Sequence, residues 1–227
     1  MKIFIDSANQ KDIEKWLNYG ILDGVTTNPS ILLKESLYDI EAAVKLLANI
    51  IDPLPISVEV TTNDAMEMME QGKRLASLGH NVVVKIPVEN EFGIPCYGVI
   101  NQLEKSGIKV NATAVMSFGQ IMLAAKSGAT YVSLFAGRIA DEGGNSNGVI
   151  AETVEWLELW DFKSKLIVGS IRSVGDVINA ALAGAHIITV PPQYLEKMSD
   201  HKYTRATVKG FIADAQNSLK MTAKSDV

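Results

Sequence analysis

Lys85 follows Val82, Val83 and Val84 and precedes Ile86 and Pro87, so its amine is carried on an apolar strand. Burial disfavours the charged form of a lysine and can lower its pKa by several units, which frees a neutral amine to attack a carbonyl. Taken alone, Lys85 also reads as a packed stem whose head reaches solvent or pairs with Glu59. Breaking a carbon-carbon bond through an iminium needs a base for the hydroxyl proton and a group that shuttles water while the imine forms and hydrolyses. Asp6 and Glu59 can supply these roles. Singly, Asp6 also suits a turn or helix N-cap, and Glu59 a salt bridge to a buried cation. Thr113 can hold a water against Glu59, or serve simply as a strand former.

Arg138, Arg172 and Ser170 suggest the other end of a substrate. Guanidinium forks match phosphate oxygens, and loops after the later strands of an α/β barrel frequently bind phosphate. Each arginine by itself also reads as half of a surface ion pair. Together they predict a phosphorylated substrate. His80, His186 and His201 lack ligand spacing, and Cys96 is the only cysteine, so no metal site, cysteine cluster or internal disulfide is expected. Met66, Met68 and Met69 fit helix packing.

These residues need a scaffold that brings distant segments together. Short apolar runs alternate with longer amphipathic stretches along the whole chain, and no linker interrupts them. Strands are predicted at 2–6, 23–27, 56–60, 81–86, 109–113, 130–135, 165–170 and 186–190. Helices are predicted at 63–78, 118–128, 146–160 and 173–184, among others. The stretch 206–220 is either the last barrel helix or an additional C-terminal one, and 222–227 is expected to fray. Strict alternation predicts an α/β fold, a single-domain (β/α)8 TIM barrel over 1–227 with an additional C-terminal helix. An open doubly wound nucleotide binder is disfavoured, because DSANQ follows the first strand where a glycine-rich loop belongs.

In parallel sheets a polar residue near a strand's C-terminal end is the informative exception. Asp6, Thr26, Thr27, Asn28, Glu59, Lys85, Asn111, Thr113 and Ser133 lie there, with Arg138, Ser170 and Arg172 just beyond. Barrel active sites form at that face. The segment 140–148 suits a flexible loop over the mouth. The net charge of −5, from 21 basic and 26 acidic residues without a basic run, argues against a nucleic-acid partner. No apolar stretch approaches the ~20 residues that cross a bilayer. The start lacks a signal-peptide pattern, so the cytoplasm is expected.

DGVTTNPSIL, VVVKIP, YVSLFAGRI and VGSIRSVGDV resemble the signatures of the transaldolase family, in that family's order over essentially the whole chain. The length is similar to that of the small microbial subfamily that also contains fructose-6-phosphate aldolases. The resemblance implies that Lys85 forms the Schiff base, Asp6 is the acid-base residue, and Glu59 and Thr113 position the catalytic water. It implies that Asn28 and Ser133 bind donor hydroxyls and that Arg138, Arg172 and Ser170 hold the phosphate, with Thr26 and Phe135 completing the substrate-binding set. The implied reaction moves a dihydroxyacetone unit from sedoheptulose 7-phosphate to glyceraldehyde 3-phosphate, without cofactor or metal. The alternative is a fructose-6-phosphate aldolase or a related ketose-phosphate aldolase. Such aldolases typically carry glutamine in place of Glu59 and tyrosine in place of Phe135, and often lysine in place of Arg172, so these positions resemble the transferase. A homopentamer or homodecamer is implied as well. SLFAGR stands where SPFVGR is common, ENEFGIPCYG is longer than usual, and VPPQYL carries a second proline. These departures fall at the mouth and bear on acceptor choice.

Overall fold

The computed structural model describes residues 1–225, with side chains as far as Met221. Its first compact unit runs from Met1 to Pro192 and its second begins at Gln193. In the first unit, β1 (Lys2–Asp6), α1 (Gln10–Asn18) and β2 (Gly24–Thr26) lead into two helices, α2 (Pro29–Lys34) and α3 (Ile40–Ile51). Next come β3 (Ile56–Glu59), α4 (Ala65–Ala76), β4 (Val82–Pro87), α5 (Tyr97–Lys105), β5 (Val110–Val115) and α6 (Phe118–Lys126). Then β6 (Tyr131–Phe135) is followed by α7 (Ala136–Asp141) and α8 (Ser146–Leu159), and β7 (Lys165–Gly169) by α9 (Val174–Leu182) and β8 (Ile187–Val190). Helix α10 (Pro192–Ser199) starts where the first unit ends, and α11 (Lys202–Ser225) belongs to the second.

All neighbouring strands are parallel, and β8 pairs back onto β1 to close the barrel. The eight predicted strands are present, shifted by a residue or two at their ends. Their apolar runs are legible because helices cover one face and the barrel interior the other. Phe4, Ile167 and Ile187 pack together with Tyr131 as one interior cluster. Gly24 makes room for it, since a Cβ there would lie 2.7 Å from two Phe4 ring atoms.

Helix ends follow side-chain caps. Asp64 caps α4 and Ser173 caps α9, so both helices start later than periodicity alone suggests. The segment 140–148, expected as a loop, is helical at both ends, because α7 reaches Asp141 and α8 starts at Ser146 under an Asn145 cap. The segment after Lys85 folds back on itself. Glu89 bridges Pro95, and Asn90 N–H donates to the Ile94 carbonyl at 3.0 Å. Helix α11 is separate from the helix that directly follows β8, which resolves the choice left open for 206–220. It continues to Ser225, into the stretch expected to fray, whose last two residues lie outside the described residues. Among the described residues no helix is long and apolar enough to cross a membrane.

Candidate active site

Strand register positions the reactive groups. Lys85 on β4 is level with Glu59 on β3 and with Asn111 on β5, while Asp6 on β1 is level with Thr26 on β2. Residues two apart on a strand share a face, so Asp6 stands above Phe4, and the cluster beneath forms the floor of the site.

Lys85 is 5% exposed. Its Nζ donates to the Thr27 carbonyl at 2.8 Å and lies 3.0 Å from Glu59 Oε2. The ion pair and the apolar strand, weighed as alternatives from sequence, are therefore both present. The amine is held by two acceptors at the end of a buried stem. Asp6 is not a cap, because Asn9 caps α1. Its Oδ1 accepts from Thr26 Oγ1 at 2.7 Å, and Thr26 Oγ1 also meets Thr189 Oγ1. Dense protein around the Asp6 carboxylate raises its pKa from the ordinary value, and the Thr26 hydrogen bond and the Lys85 charge offset only part of that. Asp6 therefore holds a proton more readily than a solvated aspartate does.

On the opposite wall, Ser133 Oγ donates to Asn111 Oδ1 at 2.7 Å, and Asn111 Nδ2 donates to Ser57 Oγ at 3.2 Å. Thr113 lies two residues beyond Asn111. There β5 shifts register, and Ala114 adopts a left-handed φ of 57°. Such bulges re-aim side chains beside active sites. Thr113 Oγ1 is buried and has no hydrogen-bond partner among the described residues. Asn28, the N-cap of α2, accepts from Ile31 N–H at 2.9 Å, and Pro29 opens the helix, so Asn-Pro-Ser is also a strand-to-helix turn.

A cavity of about 180 Å³ unites these groups. Asp6, Thr26, Asn28, Lys85, Thr113, Ser133, Phe135, Arg138 and Ser170 line it, as do Gly169 and Thr189. It is smaller than the ~300–1,000 Å³ of drug-sized ligand sites, which is too little for a dinucleotide. Glu59 reaches the cavity through Lys85. Arg172 is not among its lining residues but stands beside Ser170, near Gly137. Its two Nη atoms meet the two carboxylate oxygens of Asp141, and it lines a neighbouring cavity of about 450 Å³. Arg138 makes no ion pair among the described residues. Thr189 and Ser57 were absent from the expected site. Thr189 is a polar residue near a strand's C-terminal end, the same signal that marked the other positions. Among the described residues no group of three or more His, Cys, Asp or Glu could hold a metal ion.

The transaldolase/fructose-6-phosphate aldolase family model matches residues 3–227. The chain belongs to this family. A probable transaldolase of Clostridium botulinum strain Hall is 40% identical over 219 residues, covering 96% of this chain and 98% of the relative. One from Caldicellulosiruptor saccharolyticus is 44% identical over 215 residues, covering 94% and 96%. Membership makes the protein an enzyme of the aldolase or transferase kind. The fold extends further. A thiamine phosphate pyrophosphorylase from Pyrococcus furiosus superposes with a TM-score of 0.57 at 14% identity, covering 84% of this chain and 85% of that one. A mandelate oxidase gives 0.55 at 13% identity, covering 84% and 63%.

Proposed function

We propose that this transaldolase-family enzyme transfers a dihydroxyacetone unit from sedoheptulose 7-phosphate to glyceraldehyde 3-phosphate, through a Schiff base on Lys85. The products are erythrose 4-phosphate and fructose 6-phosphate, a step of the pentose phosphate pathway in the cytoplasm. The observation that carries the proposal is a buried amine that opens into a small polar cavity, with one carboxylate at 3.0 Å and a second, Asp6, lining the same space.

Glu59 takes the proton that leaves the Lys85 ammonium, and the neutral amine adds to the ketose C2. The carbinolamine loses its hydroxyl as water to give the iminium. Asp6, as carboxylate, accepts the C4 hydroxyl proton while the C3-C4 bond breaks, and the electron pair enters the iminium to leave an enamine. The aldehyde departs, and the enamine carbon attacks the incoming aldehyde, whose oxygen recovers the proton. Water placed by Glu59 and Thr113 then hydrolyses the new iminium. No metal or cofactor is needed in this sequence. Asn28 and Ser133 bind donor hydroxyls, beside Thr26. Arg138, Ser170 and Arg172 take the phosphate. Phe135 puts an apolar ring where a tyrosine hydroxyl would recruit water, so the three-carbon unit stays on the enzyme until an acceptor arrives.

Helix α11 exposes Val208, Phe211 and Ile212 on successive turns, which supports assembly into a homopentamer or homodecamer. A chain that sediments as a monomer contradicts that assembly. A coupled assay of donor and acceptor pairs tests the reaction. Transfer is expected to outrun release of free dihydroxyacetone, and equal rates would assign the enzyme to the aldolases.

A further inference from the structure

We propose that Asp141 is a positioning residue for the phosphate end of the site, gripping Arg172 so that its remaining donor edge faces Ser170 before an anion arrives. The inference rests on the reading of Arg138, Arg172 and Ser170 as phosphate ligands. An arginine presents five N–H donors in a planar fork. Asp141 occupies the edge made by the two Nη atoms, with Oδ2 at 2.6 Å from Nη2. The Nε edge lies on the other side. Arg172 Nε is 2.9 Å, and Ser170 Oγ 2.8 Å, from the point that a Cβ on Gly137 would occupy. The Ser170 carbonyl oxygen is 2.1 Å from that point, so only glycine permits the approach, and the hydroxyl and the guanidinium both border the space that glycine leaves. Ser170 holds a left-handed φ of 58° to turn back toward α7.

Arg138 and Asp141 are three residues apart on α7, close enough for an ion pair along the helix. Asp141 instead pairs with Arg172, and Arg138 stays available at the border of the substrate cavity. A second anchor reinforces the arrangement, because the Arg172 backbone N–H donates to Asp176 Oδ2 at 2.9 Å. The Arg172 side chain is 47% exposed, so without Asp141 it would sample many rotamers, and anion binding would carry the cost of ordering it. With Asp141 in place that ordering accompanies folding.

Steady-state kinetics with fructose 6-phosphate as donor, and competitive inhibition by inorganic phosphate, test the role in Asp141→Ala, Asp141→Asn, Asp141→Glu and Arg172→Gln. Asp141→Ala is expected to raise both the KM and the phosphate inhibition constant roughly tenfold, about 1.4 kcal/mol, with kcat held within about threefold. Asp141→Asn keeps one acceptor and should fall between. Asp141→Glu should recover part of the loss, which a purely structural role would not predict. An unchanged or lowered KM in Asp141→Ala overturns the proposal, the latter because it would make the carboxylate a competitor of phosphate. A fall in kcat with KM intact overturns it as well. Arg172→Gln separates the two layers. If its KM and inhibition constant match the parent's, the phosphate assignment itself fails. If they rise while those of Asp141→Ala do not, only the role of Asp141 fails.

Discussion

Thr113→Val separates stability from catalysis at one hydroxyl. Thr113 is 1% exposed, and its Oγ1 has no hydrogen-bond partner among the described residues. Burying an unpaired hydroxyl costs ~1–3 kcal/mol, and valine has nearly the same shape without the polar atom. The hydroxyl lines a polar cavity where the mechanism gives it a water, so the low end is an upper bound, and a gain of at most about 1 kcal/mol is expected. In a domain of this size that raises the unfolding midpoint by up to roughly 2–4 °C, readable by circular dichroism. If Thr113 places the hydrolytic water as proposed, its loss should lower kcat about 10- to 100-fold, at or below the low edge of acid-base contributions. A midpoint that falls by a similar amount would mean that the hydroxyl has a structural partner. A kcat within twofold of the parent would remove Thr113 from the mechanism.

Three further outcomes are expected. Ser133→Ala leaves the fully buried Asn111 without a donor to its Oδ1, so urea unfolding should show a loss of about 1–3 kcal/mol alongside reduced activity. For Asp6, burial raises the native pKa above the ordinary 3.8, so the native state keeps this proton to higher pH than the unfolded chain does. Its effect on stability is absent below about 3.8, grows unfavourable as pH rises from there, and is complete above the native value. Asp6→Asn should therefore raise the unfolding midpoint at pH 7 but not at pH 3, while abolishing turnover, and an equal gain at both pH values would contradict the burial argument. Phe135→Tyr, which brings a hydroxyl to the cavity wall, should raise free dihydroxyacetone release relative to transfer by roughly tenfold, as followed by a dehydrogenase-coupled assay.

Much of this site is written in local sequence. The strand-end rule finds Asp6, Thr26, Lys85, Thr113 and Ser133 because a doubly covered parallel strand has little other reason to carry them. Register then converts a list into a site, setting Glu59 level with Lys85. Other features depend on long-range geometry. The left-handed backbone at Ala114 and Ser170 has no local marker, since neither is a glycine or an asparagine. The pairing of Arg172 with Asp141 spans two βα loops and has no spacing signature. Short helices such as α2 and α7 hold too few turns to show a period; Asn28 and Pro29 announce α2, whereas α7 starts after Phe135 without a side-chain cap. Thr189 was legible by the same rule as the rest, and its hydroxyl contact with Thr26 shows why it belongs to the site.

The central claim is that Lys85 bonds covalently to the donor carbon. Incubation with fructose 6-phosphate and borohydride, followed by peptide mass spectrometry, should find the reduced adduct on Lys85 and on no other lysine, with activity lost in proportion. Full turnover with Lys85 unmodified would contradict the account.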